Sequence, residues 1–178
     1  LFLLVEPQAG GWGAGINKDG ENGLVCVGDG ETYIIPVEVC EARYGILVDQ
    51  YKLDITDGGM GEYRGGRGLV RDYRITSDEA FYTGIFSRLY DYPWGLEGGL
   101  QGSPNYFKVI YADGSETERM AREARFPLKK NDVVRLVTGT GGGYGNPLKR
   151  PVEKIQDDVK NGYITIEHAE KYFGVVLE

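Results

Sequence analysis

Twenty-eight of the 178 residues are glycine. They gather in four clusters, at residues 10–15 (GGWGAG), 58–68 (GGMGEYRGGRG), 95–102 (GLEGGLQG) and 139–145 (GTGGGYG). Average proteins carry about 7% glycine. Glycine loses more conformational freedom on folding than any other residue, so clusters persist where the backbone needs positive φ or close approach to something. Among and beside these glycines stand Trp12, Tyr63, Arg64, Arg67, Trp94 and Tyr144. A flexible linker would carry serine and small polar residues instead. The clusters therefore read as shaped loops on a β scaffold.

The scaffold follows from periodicity. Residues 1–6, 23–27 and 32–35 are short apolar or β-branched runs, and residues 46–55 (ILVDQYKLDI) are a longer one. Residues 69–75 (LVRDYRI) alternate, with Leu69, Arg71, Tyr73 and Ile75 on one face. Residues 80–87 read as their hairpin partner across 76–79. Residues 106–111 lead into a turn at Ala112-Asp113-Gly114, and residues 133–137 form the last strand. The fold class is mainly β: an antiparallel sandwich or barrel-like body over residues 1–148. Residues 149–178 change character. Pro151 suits the first turn of a helix, and Val152, Ile155 and Val159 form an apolar stripe that Asn161-Gly162 ends. Thr165 is placed to cap a second helix, with Ala169, Tyr172 and Phe173 inward and Gly174 as its C-cap. The second unit is thus an α-helical hairpin.

A net charge of −7 argues against nucleic acid, which needs a basic face, and gives no attraction to an anionic membrane. The opening apolar run is too short to span a bilayer or act as a leader. Two cysteines, Cys26 and Cys40, make no disulfide framework, so the expected compartment is cytoplasmic. The chain opens at Leu1 in mid-strand character and reads as a piece of a longer polypeptide.

Familiar site signatures do not fit. A phosphate loop needs Gly-Lys-Ser/Thr opening a helix, and no Gly-Lys dipeptide exists. A dinucleotide fingerprint must also open a helix, whereas Gly141-Gly142-Gly143-Tyr144-Gly145 runs into Asn146-Pro147. The context of Ser103 is not a nucleophile elbow. His168 is the single histidine, so no transition-metal site is expected. The most chemically loaded segment is Glu38-Val39-Cys40-Glu41-Ala42-Arg43. If it is helical, Glu38 and Glu41 share a face; if extended, Glu41 and Arg43 do. It reads as a structural ion pair, or as a polar group that orients a substrate or neighbouring domain. Arg64, Arg67 and Arg71 could bind a carboxylate or phosphate, or pair with the many acids.

In order along the chain, the motifs resemble the hydantoinase B/oxoprolinase family. They are Gly10-Gly11-Trp12-Gly13-Ala14 with Lys18-Asp19-Gly20, then Pro36-Val37-Glu38 with Glu41-Ala42-Arg43-Tyr44. Next come Gly59-Met60-Gly61-Glu62-Tyr63-Arg64-Gly65-Gly66-Arg67-Gly68, Pro93-Trp94-Gly95 with Gly98-Gly99, and Thr140-Gly141-Gly142-Gly143-Tyr144-Gly145-Asn146-Pro147. The last is Asp158-Val159 through Tyr172-Phe173-Gly174. Many relatives have proline where Gly45 stands. The resemblance implies the C-terminal portion of a subunit that works with an ATP-binding hydantoinase A-type partner. Such enzymes open hydantoins, 5-oxoproline or lactams; relatives carboxylate ketones such as acetone. ATP and a divalent metal are implied for the complete enzyme, held outside this portion. On this reading Glu38, Glu41 and Arg43 are the catalytic candidates. Trp12, Arg67, Gly142 and Tyr144 would line substrate or an interface. The rival classes are a non-catalytic assembly module and a sugar-binding sandwich using Trp12 and Trp94.

Overall fold

Alternation in residues 69–75 sets Tyr73 and Ile75 against apolar neighbours and leaves Asp72 and Arg74 on the opposite face. In the computed structural model, which describes residues 2–29 and 32–177, this run is the second strand of a four-stranded antiparallel sheet. The elements are α1 (Val37–Arg43), β1 (Ile46–Leu53), β2 (Leu69–Ile75), β3 (Glu79–Ile85), β4 (Tyr106–Ile110), β5 (Arg122–Lys129), β6 (Val133–Val137), α2 (Val152–Lys160) and α3 (Ile166–Phe173). The large sheet runs β1-β2-β6-β4, and β3 and β5 form a separate ribbon. The core between them holds Cys40, Tyr73, Ile75, Phe107, Val109, Leu128, Val134 and Leu136. The other sheet face carries charge: Asp72 takes a two-pronged bond from Arg135 (2.9 and 2.7 Å) and one from Gln50 (2.6 Å).

The mainly β, antiparallel class holds, as two open sheets rather than a closed barrel. Some strands differ from expectation. Within residues 1–6, Leu1 lies outside the described residues, and the rest of the run pairs with no strand. Leu24 only bridges Gly10, Val27–Asp29 is a single 3-10 turn, and residues 32–35 are unpaired. The run 80–87 does not pair with β2, because β1 and β6 already occupy both β2 edges. It pairs with β5 instead, a strand the sequence hides behind charges and Pro127. Residues 37–43 take the helical alternative, with Pro36 at the N-cap and Cys40 turned into the core.

The glycine clusters form a further layer with almost no regular strand. Residues 139–145 run through its centre and exchange backbone hydrogen bonds with each of the others. Gly11 N–H donates to Gly139 O (3.1 Å), Gly141 N–H to Gly66 O (2.9 Å) and Gly143 N–H to Leu100 O (2.9 Å). The segments touch backbone to backbone. A β-carbon on Gly141 would fall under 3.0 Å from Trp12 O, and one on Gly142 would meet Trp94 O. Gly59 and Gly145 also need positive φ (70° and 75°).

The helical hairpin forms, with Ile155 and Val159 inward as read, but Val152 stays exposed in the first turn. Thr165 caps α3 by accepting from His168 N–H (3.1 Å), and Gly174 closes it in the left-handed conformation (φ 68°). Ile155, Ile164, Ala169 and Phe173 bury against Met60 of the glycine layer.

Gly141→Ala is expected to destabilise the chain by roughly 3 kcal/mol or more, because backbone on both sides must shift. Gly13→Ala meets nothing nearer than Gly142 O at 3.8 Å and should stay within about 0.5 kcal/mol of wild type in urea unfolding. Equal losses from both would show that the close approach is not the constraint.

Candidate functional site

The segment expected to carry chemistry does not close on itself. Glu38 and Arg43 are exposed on α1, and neither forms an ion pair among the described residues. Glu41 is half-buried, and its Oε1 accepts from Val48 N–H (2.8 Å), tying α1 to β1. The helix thus separates an anchoring carboxylate from two free charged groups.

The other candidates sit in the glycine layer. Trp12 donates from Nε1 to Leu24 O (3.3 Å), and its carbonyl accepts from Gly66 N–H (2.8 Å). Gly142 is buried and its carbonyl accepts from Ala14 N–H (2.9 Å). Tyr144 pairs backbone to backbone with Tyr63, with the two rings 6.5 Å apart. Arg67 is fully buried, 0% exposed. Its Nη1 donates to Thr56 O (3.0 Å) and Gly58 O (3.3 Å), and no carboxylate lies within ion-pair reach among the described residues. Burial, aided by the neighbouring Arg64 charge, pulls its pKa down to about 10, so it stays cationic at neutral pH.

The remaining arginines are organised by acids far away in sequence. Arg150 donates to both oxygens of Asp19 (2.7 and 2.9 Å), to Asp158 (2.7 Å) and to Glu62 O (2.9 Å). Arg64 meets the other Asp158 oxygen (3.1 Å) and stacks 4.5 Å from the Tyr163 ring. Burial works against the Asp19 carboxylate, but the hydrogen bond and charge of Arg150 outweigh it and hold its pKa low. This cluster locks α2 onto the glycine layer. Arg71, on β2, has Nη1 3.0 Å from Glu6 Oε2 and sits 4.7 Å from the Tyr51 and Tyr73 rings. Glu6 also takes the Tyr73 hydroxyl and Ile35 N–H (2.8 Å), which pins residues 6 and 35 to the sheet.

A last constellation joins α3 to residue 57. His168 Nε2 lies 2.5 Å from Asp57, whose other oxygen takes Lys171 and Tyr172 (both 2.7 Å). His168 Nδ1 accepts from Thr165 N–H at 3.4 Å, which leaves Nε2 to face Asp57. The hydrogen bonds from Lys171 and Tyr172 hold the Asp57 pKa at about 2. His168 is thereby committed to structure.

These residues do not fit a nucleotide phosphate or a metal. The amides of Gly141, Gly143, Tyr144 and Gly145 already donate to backbone carbonyls, and Thr140 N–H donates to Ser103 Oγ (2.9 Å). Among the described residues no three His, Cys, Asp or Glu side chains gather to hold a metal ion. No helix among them is long and apolar enough to cross a membrane. Sequence reasoning missed the roles of Glu6, Asp19, Arg150 and Asp158. Asp19 and Asp158 do lie in the family-like motifs, but nothing local links residues 131 positions apart.

Comparison decides the family. The hydantoinase B/oxoprolinase family matches residues 1–147. The chain belongs to this family. It is 30% identical to the putative B-type subunit of a D-/L-hydantoinase from Pseudomonas sp. (strain NS671), over 99% of this chain and 30% of that protein. It superposes on the ATP-dependent caprolactamase of Pseudomonas jessenii with a TM-score of 0.73 and 26% identity, over 96% of this chain and 30% of that one. A nucleotide-free acetone carboxylase shares the fold (TM-score 0.75, 21% identity), over 96% of this chain and 27% of that one. The chain thus spans less than a third of each of these three proteins.

Arg150→Met should cost about 3–5 kcal/mol, since it leaves buried carboxylates short of a partner. Lys18→Ala, which removes an exposed ion pair with Glu21, should change urea stability by less than about 0.5 kcal/mol. The pH response of His168 has a defined sign. Burial lowers its pKa by more than Asp57 raises it. The unfolded ring takes its proton first, near about pH 6.5. The contribution is therefore complete above that pH and is lost as pH falls through the lower folded value. Wild type should lose more melting temperature between pH 7.5 and 5.5 than His168→Gln, which keeps the capping geometry. Parallel curves would remove His168 from that account.

Proposed function

We propose that this chain is one portion of an ATP-dependent enzyme that opens cyclic amides such as hydantoin, 5-oxoproline or a lactam. It works with the rest of a hydantoinase B-type subunit and an ATP-binding hydantoinase A-type partner, which hold ATP and the divalent metal. The carrying observation is the match to the ATP-dependent caprolactamase along 96% of the chain, at 26% identity. In this reading the portion is a scaffold. Its buried cations and glycine amides are mostly answered from within, so they fix geometry rather than meet ligand. Glu38 and Arg43, exposed on α1, are the groups left to face a neighbouring domain or polar substrate. A second reading, a portion of an ATP-dependent ketone carboxylase, draws on the fold shared with acetone carboxylase.

The assay is turnover by the complete enzyme carrying this sequence. Ring opening of caprolactam, 5-oxoproline or hydantoin coupled to ATP consumption is the expected result. ATP- and bicarbonate-dependent loss of acetone, with no ring opening, would favour the second reading. Arg43→Ala should reduce turnover at least about tenfold with melting and assembly unchanged. Lost assembly instead would make α1 an interface.

A further inference from the structure

A cleft of about 720 Å³ lies between the core face of the large sheet and the β3–β5 ribbon. Its walls differ in kind. The large sheet contributes alternate residues, Tyr73 and Ile75 from β2 and Val134 and Leu136 from β6, so it presents a face. β3 and the two residues after it contribute residues 80–87 without a gap, and residues 2–8 also line the cleft without a gap. An unbroken succession lining a cleft means that a backbone is seen edge-on. The ribbon's other strand adds only Leu128, so the edge of β3 facing the cleft is the one turned away from β5. That edge has no strand partner, and residues 2–8 make no backbone-to-backbone hydrogen bond among the described residues. The cleft is therefore bounded by two unpaired main-chain edges over an apolar floor. Each edge offers N–H and C=O groups that need partners.

We infer that this cleft is the seat of an extended β-segment. The segment inserts between residues 2–8 and β3, with alternate apolar side chains meeting the exposed apolar side chains of both walls, Leu3, Val5, Phe81 and Ile85. Main-chain pairing on one or both sides supplies the affinity, and the alternation supplies the selectivity. The occupant is a segment from the rest of the hydantoinase B-type polypeptide. This assignment rests on the proposed function and on the chain's matching 30% of the hydantoinase relative's length. The exposed side chains of Leu3 and Val5, 83% and 79% accessible along one wall, are what such a segment would cover.

Hydrogen exchange on this chain alone and within its complete assembly tests the inference. Amides in residues 3–8 and 79–85 are expected to exchange at least about 100-fold more slowly in the assembly. Val5→Asp should leave the melting of the chain alone unchanged and weaken its association with the rest of the polypeptide at least about tenfold. Unchanged exchange at both edges, with protection elsewhere, overturns the inference while leaving the proposed function standing. Protection of both edges by self-association of this chain overturns the choice of occupant. Failure of the chain to associate with any larger polypeptide overturns both.

Discussion

The structure depends on a close approach that only glycine permits. In the layer built around residues 139–145, carbonyl oxygens of neighbouring segments occupy the space where β-carbons would sit: Trp12 O at residue 141, Trp94 O at 142 and Met60 O at 143. Backbone at that separation can satisfy its N–H and C=O groups without forming sheets, because partners lie on several sides rather than two. The loss of glycine's conformational freedom is offset by hydrogen bonds from several stretches of chain meeting in one place. The central segment itself carries only two side chains, Thr140 and Tyr144, so the ionic groups stand at its margins.

Those margins explain the buried arginines. A layer of packed backbone has few apolar side chains with which to grip its neighbours, so the grip is largely ionic and local. Arg150 reaches Asp19, Asp158 and a carbonyl at once, and Arg64 closes the cluster from the other side. The planar guanidinium suits this because it donates in fixed directions to several acceptors. Arg67 goes further and meets backbone carbonyls with no carboxylate in ion-pair reach among the described residues. The helical hairpin is held on the glycine layer by this cluster and by the Met60 contact.

Legibility in the sequence followed the range of the interactions. Alternation at residues 69–75, the apolar run at 133–137 and the cap at Thr165 are local and were readable. The pairing of β3 was not, because it was decided by competition for the β2 edges, which no local pattern encodes. β5 was hidden because its first four residues, Arg122, Glu123 and Arg125 among them, are all exposed and show no apolar alternation. At the candidate site, the motifs around Gly66 and Gly141 pointed to the family, but the helix over 37–43 sent Glu41 to anchor β1 and left Arg43 alone. Partners such as Arg150 and Asp19 were beyond reach, since only the fold brings them together.

The most direct measurement is native mass spectrometry of the protein from its source, with denatured masses of every component. This sequence should travel in an assembly with the rest of a hydantoinase B-type polypeptide, in one chain or several, and with an ATP-binding partner. A single species with the mass of this chain and no partner would contradict the account and return the fold to a free-standing binding module.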